Sequence, residues 1–405
     1  MGFIKEFAIS FSISIKGFYM FIPYSRPALD DAEINEVVET LKSGWLTTGP
    51  KVAQFENDFK HYVNCEYALA VNSATSGLHL ALEAIGVGSG DKVITTVHTF
   101  TATAEVIRYL GAEPIFVDIE GDSFNIDVSA IEKALENNQN VKAIMPVHYA
   151  GQAANMTDII NLAKKYNVRI VEDAAHALPT THNGQLVGAL SDVTVFSFYA
   201  NKTITTGEGG MITTNDPELA ARMKIMRLHG INRDAFDRFT STKPSWYYEI
   251  VAPGFKYNMM DMCAAIGIHQ LKKAKRFQEE RASISERYNL AFSELPVTTP
   301  FIVNKSDVHA WHIYVLQLHL DELTIGRDEF ISQMSERGVG ASVHYIPLHR
   351  MPYWKENFNL ADNMFPRSSS ISDCIVSLPN FQSMTDDEVS KVIDVVSSLL
   401  IENKK

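Results

Sequence analysis

From residue 66 onward the chain alternates short β-branched and apolar runs with segments of helical period, and no other feature restricts its fold as much. The expected strands are EYALAVN (66–72), KVITTV (92–97), EPIFVDI (113–119), KAIMPVHY (142–149), VRIVEDA (168–174) and DVTVFSF (192–198). Helical stretches with apolar residues three and four apart begin near Thr75, Thr101, Val128 and Met156. Nearly continuous apolar strands joined by amphipathic helices predict a mostly parallel sheet covered on both faces. Ligands of such sheets sit beyond the carboxyl ends of the strands. Residues 72–76, 98–100, 148, 173–176 and those from Ser197 onward are therefore the first to inspect.

At 405 residues the chain is long enough for two domains. A charged helical segment over 270–292 is expected to close the first. Beyond it, WHIYVLQL (311–318) and ASVHYIP (341–347) read as strands, and RDEFISQMSERG (327–338) and DDEVSKVIDVVSSLL (386–400) as amphipathic helices, giving a smaller α/β unit. The expected division is an N-terminal extension over 1–22, a large domain over 23–290 and a small C-terminal domain over 291–405. The apolar run at 7–15 is too short to span a bilayer, which takes about 20 residues. A net charge of −12 disfavours nucleic acid and anionic membranes as partners. Three cysteines at unrelated spacings offer neither a disulfide framework nor a zinc pattern, so no metal site is expected and a reducing cytoplasm fits best.

The sequence lacks a P-loop, a GxGxxG fingerprint, HExxH and GxSxG, which removes the simplest support for nucleotide cleavage, dinucleotide redox chemistry and serine hydrolysis. Three segments carry chemistry instead. In SFYANKTITTGEGG (197–210), Lys202 has Glu208 as its one charged neighbour and stands among hydroxyls and glycines. A desolvated lysine there is a candidate Schiff-base former, against the alternative of a solvated surface side chain. In VEDAAHAL (171–178), Asp173 ends a strand in an apolar run and needs a cation, such as a protonated pyridine nitrogen. Alternatively, Asp173 caps the next helix and His176 is a core histidine. In NSATSGLHLAL (72–82), Thr75 and Ser76 open a helix, a place suited to phosphate or to a simple N-cap. Phe100 follows a strand and can stack on a planar ring or fill the core. Pyridoxal phosphate uses all of these features together: Lys202 for its aldehyde, Asp173 for the ring nitrogen, Phe100 for the ring face, and Thr75, Ser76 and Ser197 for the phosphate.

The blocks SGWLTTGPKV, NSATSGLHLAL, PVHYAGQAANM, EDAAHAL, FSFYANKTITTGEGG, APGFKYNMMDMCAAIG, HAWHIYV and VHYIPLH occur in this order along nearly the whole chain. In them the sequence resembles the DegT/DnrJ/EryC1/StrS family of pyridoxal-phosphate-dependent nucleotide-sugar aminotransferases. The resemblance implies an α/β fold of the aspartate aminotransferase type (fold type I). It also implies that Lys202 binds the cofactor covalently and shuttles the proton, and that Asp173 pairs with the pyridine nitrogen. His176 is then placed near the phenolic oxygen, Phe100 on the ring, and Thr75, Ser76 and Ser197 at the phosphate. Asn258, in GFKYN, corresponds to a residue that reaches the phosphate from a neighbouring subunit, which implies a homodimer. The implied donor is L-glutamate and the acceptor a nucleotide-linked keto-sugar. SGWLTTGPK, VHYAG, EDAAHA, GFKYN and HAWH resemble enzymes that aminate C4 of UDP-4-keto sugars in lipopolysaccharide or related cell-surface pathways, whereas NKTITTGEGG also resembles GDP-perosamine synthases. A C3 ketone, and a cofactor-binding sensor protein, are the remaining alternatives. His309, His312, His344 and His349 are candidates for the sugar-nucleotide cleft or for ordinary packing.

Overall fold

The structure is a computed structural model that describes residues 21–121, 123–232 and 246–405; the proposed N-terminal extension lies, but for its last two residues, outside them. Two helices come first, α1 (Asp31–Ser43) and α2 (Pro50–Val63). Asp30 and Glu33 form a reciprocal capping box on α1, and Pro50 begins α2, where its missing N–H costs nothing. Strand and helix then alternate: β1 (Tyr67–Val71), α3 (Ala74–Ala84), β2 (Lys92–Thr96), α4 (Ala102–Tyr109), β3 (Glu113–Val117), α5 (Val128–Asn137), β4 (Val141–Met145), α6 (Met156–Tyr166) and β5 (Arg169–Asp173). A two-residue hairpin, β6 (Thr181–His182) and β7 (Gln185–Leu186), precedes β8 (Val193–Ser197), β9 (Gly210–Thr214) and α7 (Pro217–Met226).

Seven of these strands form one sheet in the order β1-β9-β8-β5-β4-β2-β3. All neighbours are parallel except β9, which runs antiparallel to both β1 and β8. The crossover helices bury the apolar strands from both sides, which accounts for their continuous hydrophobic character. All six expected strands are present, five of them within two residues of their expected ends; the fourth, expected over 142–149, stops at Met145. β9 was not among them, because its GMITT follows a glycine-rich stretch that masks the strand signal.

A helix of 32 residues, α8 (Asp261–Phe292), leaves this unit. It begins nine residues before the expected start at Gln270. Gly267, normally a helix-weakening residue, is there because a Cβ would come within 2.6 Å of the Phe55 ring on α2. The last turns of α8 supply Ile284, Tyr288 and Phe292 to a second core. Around that core are β10 (Val297–Thr298), β11 (Tyr314–Leu318), α9 (Arg327–Glu336), α10 (Pro352–Phe358), α11 (Pro366–Ser372), β12 (Ile375–Leu378) and α12 (Asp386–Glu402). The three strands form an antiparallel sheet in the order β10-β11-β12.

The expected strand ASVHYIP is corrected by the structure. Over 341–347 the chain makes a single bridge, Ser342 with Ser377, and then leaves the sheet so that His344 and Tyr345 reach a cavity at the large sheet. Ile22 pairs with Val339 and lies in the second core, and Arg26 bonds Glu388 at 3.0 Å, so the first described residues pack on the C-terminal unit.

Candidate active site

The carboxyl ends of β1, β2, β4, β5 and β8 open on a cavity of about 460 Å³. Ser73 and Thr75 line it from the start of α3, Phe100 from the loop after β2, Asp173 and His176 from the end of β5, and Ser197 and Lys202 from β8 and the loop after it. His312, His344 and Tyr345 close it from the C-terminal unit. Of the residues singled out from sequence, this brings together Thr75, Phe100, Asp173, His176, Ser197 and Lys202, with His312 and His344 of the four histidines considered for the cleft.

Ser76 and Asn258 are placed elsewhere. Ser76 is buried, its N–H donates to Ser73 Oγ at 3.1 Å, and its hydroxyl donates to Asn72 Oδ1 at 2.6 Å, so it braces the helix start behind the cavity wall. Asn258 lines a separate hollow of about 210 Å³ with Thr48, Lys224 and Arg227, and donates to Thr48 Oγ1 at 2.7 Å. His309 stacks on Trp311 outside the cavity, and His349 is buried against Ser369. His148, the residue after β4 that merited inspection, is fully buried against Glu172 at 2.8 Å and does not line the cavity.

Lys202 is partly buried rather than a solvated surface lysine, and among the described residues no carboxylate is in ion-pair contact with it. Burial pushes its amine down to about 8, partly offset by the charge of Asp173, while Arg281 adds to the lowering. Asp173 also has no cation in contact among the described residues. Its Oδ2 accepts from Thr103 Oγ1 at 2.8 Å and its Oδ1 from the Ala175 N–H at 3.1 Å. Burial raises its carboxyl above the usual range, against the pull of those two hydrogen bonds and of Lys202. Lysine and carboxylate thus face the same cavity, the carboxylate buried and the lysine partly so, each without a contacting counter-charge among the described residues. Two charges in that state are costly unless a third group lies between them.

The remaining walls carry hydroxyls, imidazoles and the Asn201 amide between apolar patches. His176 Nε2 is 3.0 Å from the Tyr345 hydroxyl, and burial holds its imidazole neutral, well below its ordinary range. Among the described residues, His176 Nδ1, His312 Nδ1 and Asn201 Oδ1 are buried with no hydrogen-bond partner. Phe100 is 59% exposed, so its ring face is open to a ligand and the core alternative fails. Gly209 and Gly210 serve a local purpose: a Cβ on Gly210 would sit 2.8 Å from the backbone of Ser73 and Ala74, so the missing side chain lets β9 lie against the start of α3. Thr103 and Tyr345 escaped the sequence reading. Neither lies directly after a strand of the large sheet, although Tyr345 belongs to the VHYIPLH block.

A model of the DegT/DnrJ/EryC1/StrS aminotransferase family matches residues 27–397. The chain belongs to this family. It is similar to the spore coat polysaccharide biosynthesis protein SpsC of Bacillus subtilis, with 44% identity over 382 residues that cover 94% of this chain and 97% of SpsC. Among solved structures, a putative sugar aminotransferase of Streptococcus pneumoniae in its PMP form matches with a TM-score of 0.87 and 32% identity, over 94% of this chain and 99% of that one. The PLP form of the same protein matches with a TM-score of 0.86. PseC of Helicobacter pylori, an aminotransferase involved in the biosynthesis of pseudoaminic acid, matches with a TM-score of 0.87 and 30% identity, over 95% of this chain and its whole length (100%). This DegT/DnrJ/EryC1/StrS member is accordingly a pyridoxal-phosphate-dependent sugar aminotransferase with the aspartate aminotransferase type of α/β fold.

The residues present fit pyridoxal phosphate. The lysine and carboxylate lacking counter-charges, the open Phe100 ring, the partnerless imidazole nitrogen of His176 and the hydroxyls at the start of α3 match the aldehyde, ring nitrogen, ring face, phenolic oxygen and phosphate of the cofactor.

Proposed function

We propose that this aminotransferase moves an amino group from L-glutamate to C4 of a UDP-linked 4-keto sugar, for a cell-surface polysaccharide or lipopolysaccharide. The observation that carries the transaminase chemistry is the pair Lys202 and Asp173, each without a contacting counter-charge, on one cavity. The blocks SGWLTTGPK, VHYAG, EDAAHA, GFKYN and HAWH support the C4 ketone and the UDP group. The polysaccharide function named for SpsC supports the cell-surface context.

Bound pyridoxal phosphate supplies an aldehyde that takes up the amino group and a ring that withdraws electrons from the reacting carbon. Lys202 holds the cofactor covalently and, once free, takes a proton on Nζ and returns it. Its depressed proton affinity keeps a useful fraction as neutral amine near neutral pH. Asp173 keeps a proton on the ring nitrogen, and Thr103 and the Ala175 amide hold its carboxylate in place. Tyr345 sets the orientation of His176, whose free nitrogen would be available to the phenolic oxygen. Phe100 covers the ring. Thr75, Ser197 and the helix start hold the phosphate, with Ser76 bracing Ser73 from behind.

Among the described residues, the cavity lining holds a single lysine and no arginine. A cofactor phosphate, a dicarboxylic donor and a diphosphate bring more negative charge than Lys202 can match. The added donors come, in this reading, from a second copy of the chain, whose Asn258 reaches the phosphate across a homodimer in the cytoplasm. Asn258 lies outside its own chain's cavity, as such an exchange requires.

NKTITTGEGG (201–210) favours a second reading, a GDP-perosamine synthase type of acceptor. Incubation with glutamate and a panel of UDP-, GDP- and dTDP-linked 4-keto and 3-keto sugars, followed by mass spectrometry, decides between them. Amino-sugar formation from UDP-4-keto substrates is expected. Turnover confined to GDP sugars or to 3-keto sugars would replace the first reading.

A further inference from the structure

Lys202 Nζ lies 3.4 Å from His312 Nε2. The imidazole is held from several sides. The His312 carbonyl accepts from Arg281 Nη1 at 3.1 Å, and the Trp311 carbonyl before it accepts from Asn380 Nδ2 at 3.3 Å. Arg281 is buried in the middle of α8, also bonds Gln382 and Asn380, and has no carboxylate partner among the described residues. The ring packs on His176 with centroids 4.5 Å apart. Nδ1 is buried without a partner, so the contact to Lys202 is the one made by the nitrogen facing the cavity.

We propose that His312 is the resting partner of Lys202: its Nε2 accepts a hydrogen bond from Nζ–H and keeps the amine aimed into the cavity whenever it is not joined to the cofactor. A buried imidazole is neutral here and its Nε2 can accept. An ammonium and a neutral amine both have N–H groups to donate, so the contact survives protonation of Lys202. In the neutral state it leaves the amine lone pair free for the substrate proton. Without such an anchor a lysine side chain has four rotatable bonds over which to disperse, and proximity is lost.

The groups facing Lys202 or lining its cavity are Asp173 and His176 after β5, Tyr199 and Glu208 on its own loop, Arg281 on α8, His312, and His344 and Tyr345 from the C-terminal unit. Burial holds His176 and His312 well below their ordinary range and His344 down to about 4, and keeps Tyr345 protonated. Lys202 is thus the group expected to titrate between pH 7 and 9.

The inference rests on Lys202 being the reacting amine. The test is trace acetylation of the full-length chain stripped of cofactor, from pH 6 to pH 10, with the Lys202 peptide quantified by mass spectrometry. Wild type and His312→Gln, which keeps an acceptor within reach, should share a midpoint near 8. His312→Phe removes the acceptor from a buried ammonium and should lower the midpoint by about one unit, a roughly five-fold gain in neutral amine at pH 7. His312→Asn, with an amide too short to reach Nζ, gives the same contrast if the Phe variant does not fold. Equal midpoints in all variants, or a rise in the Phe or Asn variant, overturn the proposal. Failure of the underlying reading shows separately: borohydride reduction of the wild type loaded with pyridoxal phosphate would then leave the Lys202 peptide unmodified.

Discussion

Thr103 Oγ1 donates to Asp173 Oδ2 at 2.8 Å, joining α4 to the end of β5 in a place where both side chains are buried. The bond favours the charged carboxylate that burial disfavours. Thr103→Val should therefore lower turnover about tenfold, the weight of roughly 1.5 kcal/mol for a hydrogen bond to a charged group. Asp173→Asn should cost on the order of a hundredfold or more, because the ring nitrogen loses its proton partner. Steady-state rates of the two variants check the ranking, and a Thr103→Val enzyme as active as wild type would remove this support for Asp173.

Capture of pyridoxal phosphate by the stripped protein requires the neutral amine of Lys202. Because burial depresses that amine to about 8, the capture rate should climb from pH 6, reach half its limit near pH 8 and level off above it. An unperturbed lysine would still be climbing at pH 10. Stopped-flow absorbance of the bound cofactor measures the profile, and after borohydride reduction and desalting the wild type should retain the cofactor covalently whereas Lys202→Ala should retain none.

Gly210 on β9 touches the backbone at the start of α3. Gly210→Ala places a Cβ 2.8 Å from Ala74 N and 2.9 Å from Phe196 O, so the strand or the helix start must move. We expect a stability loss of about 1–3 kcal/mol and at least a roughly tenfold weaker hold on the cofactor. Gly88→Ala, which meets nothing within 4 Å, is the control. Thermal melting and cofactor titration of the pair give the comparison.

Burial lowers His98 and His309 to about 3 and His344 to about 4. Between those values and the ordinary 6.5 the unfolded chain binds more protons than the folded one, so stability rises with pH across that window and falls on acidification. Each such histidine withdraws about 1.4 kcal/mol per pH unit below 6.5. The melting temperature should drop between pH 7 and pH 5, and less in a His98→Gln variant. A flat profile would show these imidazoles to be solvated.

The alternation of strands and helices was legible because each element obeys its own period and buries a face of its own. Lys202, Asp173 and Phe100 could be picked out because a parallel sheet sends the residues after its strands to one edge. Legibility failed where meaning depends on a distant partner. Gly267 disguises the start of α8 until Phe55 is seen beside it. ASVHYIP has the alternation of a strand, yet His344 and Tyr345 are drawn away to the cavity. Thr103 is an ordinary helix residue until its contact with Asp173 is known. Ser76 and Thr75 look equivalent in sequence, but the turn of α3 directs one toward the cavity and the other behind it.

Ile22 pairs with Val339, and Arg26 bonds Glu388, so the C-terminal unit is finished by residues made more than three hundred positions earlier. Those residues must wait, while more than three hundred others are synthesised, for the partners that hold them. The large sheet can form during that wait, but the wall that His312, His344 and Tyr345 give the cavity cannot. Closure of the cavity wall therefore waits on the C-terminal unit, and removal of α12 would be expected to spare the sheet and cost the wall.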